Sequence, residues 1–127
     1  HLIQPSFPDN RILLIYDYPK SQAALARIRH GDVPVAERFE LYLGPIELAN
    51  GYHELNDPTE QRERFDRDLS QRRKRNTALP PVDERLLAAL PTLPDCAGVA
   101  LGVDRLLTAM LGSDRIADTI AFPFDRA

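Results

Sequence analysis

Alternating apolar and polar side chains predict a β-hairpin near the middle of the chain. In residues 38–43 every second side chain is apolar, which is the pattern of a half-buried strand. Gly44 and Pro45 then favour a turn, and residues 46–54 are predicted to return as the partner strand. The partner strand is unusual because it carries two glutamates, an asparagine and a histidine between its apolar residues.

The segments on either side of this hairpin complete an α+β pattern. The apolar run of residues 11–19 predicts a buried strand. Asp57, followed by proline, is typical of a helix N-terminus, and this helix is predicted to run to about residue 75. Residues 82–90 predict a short helix, and residues 98–111 a strand that leads into a helix. This order favours an antiparallel sheet flanked by helices, in one domain over residues 1–127.

Composition and charge narrow the classes of function. The 127 residues are 43% hydrophobic and 28% charged, with a net charge of −3, so no overall positive field attracts nucleic acid or anionic lipid. The basic run in residues 61–75 is typical of a solvated helix face. The single cysteine, Cys96, excludes an internal disulfide and favours a reducing, cytoplasmic location, and no apolar run is long enough to span a membrane. Because the chain begins at His1, we expect it to be part of a longer protein.

Two carboxylates of the hairpin are candidate metal ligands. The turn pairs Tyr42 with Glu47, and alternation then places Glu40 and Glu47 on one face as diagonal neighbours, roughly 7–8 Å apart. Two carboxylates at this spacing repel each other unless a cation lies between them. Mg²⁺ carried by nucleotide phosphates fits this place, since it is typically held by one or two carboxylates and phosphate oxygens. Arg38 is the alternative cation, and the sequence leaves both open.

A second polar group follows on the same strand. Asn50, Tyr52 and Glu54 share one face, but strict alternation puts that face opposite Glu47. A β-bulge near Ala49 is therefore required if all these side chains are to line one cleft. A buried Glu54 carboxylate requires a cationic partner, either an internal arginine or the ammonium group of a ligand.

Glycines mark the last predicted strand and its junction with a helix. Gly98 and Gly102 permit close approach of a bulky group to the backbone. Arg105 starts the following helix, where its guanidinium can stack on an aromatic base and reach a phosphate. The segment is neither a dinucleotide-binding glycine fingerprint nor a P-loop, and a glycine-containing strand before a helix is common in sheets.

Two stretches together resemble a known family. RFELYLGPIELANGYHELNDPTEQRERF, residues 38–65, resembles the segment before motif 3 of class II lysyl-tRNA synthetases, and GVALGVDRLLTAMLG, residues 98–112, resembles motif 3 itself. The resemblance extends over about residues 11–127. It implies the C-terminal part of the class II synthetase catalytic fold, with ATP and Mg²⁺ as cofactors.

The resemblance also implies roles for individual residues. Glu40 and Glu47 match the carboxylates that hold ATP-bound magnesium. Asn50 matches the asparagine that contacts the carboxylate of the amino acid, and Glu54 matches the glutamate that binds its side-chain ammonium. Arg105 matches the motif 3 arginine that packs on adenine and contacts the γ-phosphate, which makes it the candidate catalytic residue.

The remaining pocket residues bear on the choice of amino acid. Tyr52, Ala100 and Gly102 match positions around the amino-acid pocket. Lysyl-tRNA synthetases usually have glycine where this chain has Ala100. The additional methyl group would reshape the pocket and disfavour α-lysine, although one methyl group is worth only about 1–3 kcal/mol in discrimination. Plain strand packing is the alternative explanation of Ala100.

Three further segments refine the resemblance. YPKSQAALA, GPIELANGYHEL and the ending FPFDRA are most similar to the truncated synthetase paralogues that attach β-lysine to elongation factor P. Lysine or β-lysine is then the substrate, and elongation factor P the acceptor. The alternatives are a lysyl-tRNA synthetase that charges tRNA-Lys, and a non-catalytic synthetase-like domain that only binds a ligand.

The resemblance has one large gap. Motifs 1 and 2, which build the dimer interface and grip the α-phosphate in this family, have no counterpart in the chain. We therefore expect the 127-residue chain to be inactive by itself. We also expect it to expose sheet edges and apolar surface, so self-association, as in a homodimer, is a further hypothesis.

Overall fold

The computed structural model describes residues 3–124, which form five β-strands, three α-helices and short 3₁₀ turns. The strands are β1 (Ile12–Pro19), β2 (Ile28–Arg29), β3 (Val35–Leu43), β4 (Ile46–His53) and β5 (Ala97–Leu101). The helices are α1 (Pro58–Lys74), α2 (Glu84–Ala89) and α3 (Val103–Met110). The last three residues of FPFDRA lie outside the described residues.

The strands form one sheet, and every pairing in it is antiparallel. The order along the sheet is β1-β3-β4-β5, and the short strand β2 pairs with the beginning of β3. The predicted α+β class, an antiparallel sheet flanked by helices, is confirmed. Helix α3 follows β5 directly and contacts β4, so the end of the chain returns to the middle of the sheet.

The hairpin of β3 and β4 contains the bulge that a common cleft requires. Gly44 has a φ of +53°, a value that glycine adopts without strain, and the turn pairs Tyr42 with Glu47 as predicted. The next pair is Leu41 with Ala49, so Leu48 is an extra residue on β4. A single inserted residue reverses the alternation of all later side chains, which brings the second half of β4 onto the face of Glu47.

Strand β1 differs from the prediction of a buried strand. It is an edge strand, and its alternate side chains Ile12, Leu14 and Tyr16 are exposed. The sequence prediction was wrong in this respect because an apolar run shows what a segment can bury, not whether another layer covers it. In residues 3–124 nothing covers this face of β1.

Helix α1 begins as its sequence predicts. The Asp57 carboxylate accepts hydrogen bonds from the backbone N–H groups of Thr59 (2.8 Å) and Glu60 (3.1 Å), and Pro58 is the first helical residue. Pro58 has no N–H group, so the cap satisfies two of the three N–H groups that the first turn leaves without an intrahelical acceptor. The Glu60 side chain does not complete a capping box; its carboxylate pairs with Arg64 instead.

Replacing Asp57 with alanine is expected to lower the free energy of unfolding by about 1 kcal/mol, because two helix N–H groups lose their acceptor. Urea unfolding followed by circular dichroism measures the change. Asp57→Asn is the matched control, since asparagine caps helices about as well as aspartate. An equal loss in both variants would contradict the capping role.

Candidate active site

One face of the sheet carries most of the predicted site residues. Glu40 on β3 lies opposite Asn50 on β4, and Arg38 lies opposite Tyr52. On β5, Ala100 pairs with Asn50 and Gly98 pairs with Tyr52, so small residues lie beside the polar side chains. Paired residues present their side chains on the same face, and we call this side of the sheet the polar face.

Glu40 is held by three donors. Its Oε1 accepts from the Arg38 guanidinium, and its Oε2 accepts from the hydroxyls of Tyr18 (2.7 Å) and Tyr42. Glu40 is only 8% exposed, and burial by itself would favour the neutral acid. The hydrogen bonds from the two tyrosines and the charge of Arg38 outweigh burial, so the pKa of Glu40 is lowered and the carboxylate is ionised.

Arg38 lies between two aromatic rings. Its guanidinium carbon is 4.6 Å from the ring centroid of Tyr18 and 5.8 Å from that of Tyr52. Nη1 donates to the carbonyl oxygen of Gln22 at 2.9 Å, whereas the buried Nε–H has no partner among the described residues. Of the two cations that the sequence left open for Glu40, Arg38 is therefore in contact with it.

Tyr18 and Tyr42 are site residues that the sequence prediction missed. Strict alternation along β1 would put Tyr18 on the same face as the exposed Tyr16. Asp17 between them has a φ of +58°, and the pairing register of β1 shifts at this point. The irregularity turns Tyr18 to the polar face, where it reaches Glu40. The aspartate is the available sequence signal, because aspartate adopts a positive φ more readily than most residues, but this signal is weak.

Asn50 is fixed by its neighbour on β4. Its Nδ2 donates to the hydroxyl of Tyr52 at 2.9 Å, and its Oδ1 is buried with no hydrogen-bond partner among residues 3–124. A buried polar atom without a partner is uncommon and costs about 1–3 kcal/mol. Asn50 thus has unused hydrogen-bonding capacity on the polar face.

Glu54 lies directly over Gly98. A Cβ atom added to Gly98 would be 2.3 Å from Oε1 of Glu54, so a side chain here would displace this carboxylate from its present position. Glu54 is half-buried, and its carboxylate makes no ion pair or hydrogen bond with the described residues. The nearby Arg27 is not its partner, because Nε of Arg27 donates to the Glu54 backbone carbonyl (2.9 Å) and Nη1 pairs with Asp95.

Motif 3 residues meet the opposite end of the same strand. Nη1 of Arg105 donates to the backbone carbonyl of Glu47 at 3.0 Å, and the N–H of Gly102 donates to that of Leu48 at 2.8 Å. The exposed guanidinium of Arg105 keeps its other N–H groups available. Glu47 also acts on Tyr42: burial is the main reason that the pKa of Tyr42 is raised, and the charges of Glu40 and Glu47 add to it.

The donor set on the polar face fits a magnesium–nucleotide complex better than a metal ion held by protein alone. Within residues 3–124 no cluster of three or more histidine, cysteine, aspartate or glutamate side chains could hold a metal ion. Glu40 and Glu47 offer two hard carboxylate donors, so the other ligands would be phosphate oxygens and water. Glu40 has to give up or share its present partners to serve in this way.

The recorded cavities lie away from these residues. The larger, of about 1110 Å³, lies between the segment after β1 and helix α1. The smaller, of about 520 Å³, is lined by Arg38, His53 and Asp95 among others. Neither is lined by Glu40, Glu47, Asn50, Glu54 or Arg105. These two cavities are therefore separate from the candidate site residues on the polar face.

His53 lies between two carboxylates at the edge of the sheet. Its Nδ1 is 2.5 Å from Oε2 of Glu37, and its Nε2 is 2.7 Å from Oδ1 of Asp95. Carboxylates only accept hydrogen bonds, so both ring nitrogens donate and the imidazole is protonated. The hydrogen bond to Asp95, followed by that to Glu37, raises the pKa of His53. This arrangement ties β3, β4 and the loop before β5 together beside Glu54.

The stability of the protein is expected to fall as pH rises through the folded-state pKa of His53. The folded pKa lies above the ordinary value of 6.5, so the contribution is complete below about 6.5 and is lost above the folded value. His53 is partly exposed, and a contribution of up to about 1 kcal/mol is expected. Urea unfolding across this range measures it, and His53→Gln should lose the dependence. A pH dependence that is unchanged in His53→Gln would refute the assignment.

Comparison with protein families agrees with this geometry. The family model described as tRNA synthetases class II (D, K and N) matches residues 5–126, so the chain belongs to this family. The resemblance derived from the two sequence stretches is thereby confirmed. Within the described residues no helix is long and apolar enough to cross a membrane.

Individual relatives make the similarity more specific. The chain is 51% identical over 126 residues to proteins named elongation factor P–(R)-β-lysine ligase from Salmonella arizonae, Salmonella paratyphi B and Salmonella heidelberg. Each alignment covers 98% of this chain and 39% of the relative. The chain therefore spans about two fifths of the length of the curated relatives it matches.

Proposed function

We propose that the chain is part of the catalytic domain of an ATP-dependent ligase that activates a lysine-type amino acid. The enzyme forms an aminoacyl-adenylate and then transfers the amino acid, as β-lysine, to a lysine of elongation factor P. The observation that carries the proposal is the Glu54 carboxylate, which is half-buried over Gly98 and has no cationic partner among residues 3–124.

The unpartnered carboxylate selects the charge of the substrate. Removing an ionised carboxylate from water without a compensating cation is unfavourable, and the ammonium group of a lysine-type side chain provides that cation. A site for an acidic amino acid would instead require a positive side chain here. Asn50 lies on the same face, and its Oδ1, which has no partner among residues 3–124, can accept a hydrogen bond from an amino group of the amino acid.

The opposite end of β4 supplies the nucleotide site. Glu40 and Glu47 would hold Mg²⁺, which when bound neutralises phosphate charge. Arg105 is fixed by the Glu47 carbonyl with its remaining N–H groups free for a phosphate. These residues would position ATP so that the substrate carboxylate attacks the α-phosphate in line, which forms the adenylate and releases pyrophosphate. Their contribution is positioning and charge stabilisation, not covalent catalysis.

Two observations favour β-lysine over α-lysine as the substrate. Ala100 lies across from Asn50 on the exposed edge strand, where its methyl group can reduce the space for the amino-acid backbone. The names of the relatives favour β-lysine and elongation factor P, whereas no observation specifically favours tRNA-Lys or a purely binding role.

We further propose that residues 1–127 do not catalyse adenylation alone. The chain spans about two fifths of its relatives. Motifs 1 and 2 have no counterpart in its sequence, so the segment expected to grip the α-phosphate is missing. The cytoplasmic location and the homodimer expected from the sequence stay predictions.

ATP–pyrophosphate exchange by the full-length gene product tests the proposal, with α-lysine and (R)-β-lysine compared at equal concentrations. Exchange with a clear preference for (R)-β-lysine, followed by transfer of label to elongation factor P, is the expected result. A preference for α-lysine with transfer to tRNA would establish the synthetase alternative. Exchange with neither amino acid would refute the ligase proposal and leave a synthetase-like binding domain.

A further inference from the structure

We propose that Arg38 competes with the metal ion for Glu40, so that this carboxylate accepts a divalent cation only together with a nucleotide. The inference rests on the proposed function, because it concerns the same magnesium site. It assigns a role to an arginine that touches neither amino acid nor nucleotide in the scheme above. Arg38 acts through Glu40 and is therefore a positioning residue.

Arg38 is held in place by contacts other than its ion pair with Glu40. Its guanidinium lies between the rings of Tyr18 and Tyr52 and donates to the Gln22 carbonyl. A guanidinium that is already stacked on aromatic rings and hydrogen-bonded to a carbonyl loses little further conformational entropy when it also binds Glu40. The ion pair is well shielded, since the side chains of Arg38 and Glu40 are 16% and 10% exposed.

Most of the acceptor sites on the Glu40 carboxylate are already in use. A carboxylate offers about four lone-pair directions. Arg38 uses one of them, and the hydroxyls of Tyr18 and Tyr42 use two more. A metal ion at Glu40 has to share the oxygens with these donors, and the guanidinium is the only one of the three that also repels it by charge.

The charge of Arg38 acts differently on a free ion and on an ion bound to nucleotide. A free divalent cation that approaches Glu40 meets a carboxylate already neutralised by Arg38 and gains little attraction. A magnesium–ATP complex carries net negative charge and phosphate oxygens. The charge of the Arg38 guanidinium attracts those oxygens, whereas it repels the free ion. Nucleotide thereby offsets the competition between Arg38 and the metal ion.

Binding of Mn²⁺, measured by electron paramagnetic resonance on the full-length gene product without nucleotide, tests the inference. We expect weak binding by the unaltered protein and binding tighter by on the order of tenfold in Arg38→Met, because the competing charge is removed. Arg38→Lys retains the charge and should show little gain. Arg62→Met is the matched control, since Arg62 forms an exposed ion pair with Glu84 on the helices, away from Glu40.

The double variant Arg38→Met/Glu40→Gln locates the effect. It should lose the gain of Arg38→Met if the additional Mn²⁺ binds at Glu40. Circular dichroism confirms that each variant is folded. If Arg38→Met fails to fold, Arg38→Gln removes the same charge with a polar side chain and should show the same gain.

The experiment distinguishes a failure of the proposed nucleotide site from a failure of the competition by Arg38. If the unaltered protein binds no Mn²⁺–ATP, the proposed nucleotide site is wrong and the inference falls with it. If the unaltered protein binds Mn²⁺–ATP but Arg38→Met binds free Mn²⁺ no more tightly, only the competition is refuted. Equal gains in Arg38→Met and Arg62→Met would also overturn it, because they would reflect a general change in charge.

Discussion

Glu54→Gln is expected to lower kcat/KM for the lysine-type amino acid by about 100-fold, because a charge-assisted hydrogen bond to the substrate ammonium is worth roughly 1.5–3 kcal/mol. Glutamine retains the shape of the side chain over Gly98 but not its charge. The free energy of unfolding should not fall, since the Glu54 carboxylate has no partner among residues 3–124. ATP–pyrophosphate exchange over a range of amino-acid concentrations measures the loss.

The matched control for this prediction is Glu63→Gln on helix α1. It removes one negative charge from an exposed residue that is 3.6 Å from its ion-pair partner Arg67. The control variant should keep full exchange activity, and urea unfolding should show Glu54→Gln to be as stable as the unaltered protein within about 0.5 kcal/mol. Equal activity of Glu54→Gln and the unaltered protein would contradict the role of Glu54 as the ammonium partner.

Gly51→Ala is expected to destabilise the fold by about 3 kcal/mol, at the upper end of the usual cost of overpacking. A Cβ at Gly51 would lie 2.4 Å and 2.6 Å from two ring atoms of Phe39 and 2.9 Å from the carbonyl oxygen of Gly98. The carbonyl belongs to the neighbouring strand β5, so it cannot move without disturbing the pairing that places Gly98 below Glu54. Urea unfolding followed by circular dichroism measures the change.

Gly31→Ala serves as the control for that substitution. A Cβ at Gly31 meets nothing within 4 Å, so the same chemical change should alter stability by less than about 0.5 kcal/mol. If Gly51→Ala is no less stable than Gly31→Ala, the close packing of β4 between Phe39 and β5 is not present in solution. Exchange activity should fall in Gly51→Ala together with stability, because the floor of the ammonium site is displaced.

Some local features were available from the sequence because their causes are local. The cap at Asp57 depends on residues two and three positions away, and the turn at Gly44 depends on one positive φ. The pairing of Tyr42 with Glu47 follows from the turn alone. Each of these predictions is confirmed because neither a distant segment nor a ligand is needed to satisfy it.

Other features were out of reach because they depend on where distant segments meet. The partners of Glu40 come from β1 and β3, and the shift at Asp17 that brings Tyr18 to it has no reliable local signal. The exposure of β1 depends on what lies over the sheet, which an apolar run does not specify. The alternation along β3 predicts that its apolar face is the buried one. In the structure Glu40 and Tyr42, at 8% and 2% exposure, are instead more buried than the apolar side chains that alternate with them.

The sequence by itself determined the family and the α+β class and predicted most of the candidate site residues, because motif spacing and hydrophobic period are properties of short segments. The tertiary structure decided how those residues are connected. The bulge lies at Leu48, Arg38 is the ion-pair partner of Glu40, and Glu54 has no cationic partner among residues 3–124. The physical reason is that strand register and burial determine which charged groups are in contact. The free energy of a buried charge depends mainly on whether it has a partner of opposite charge.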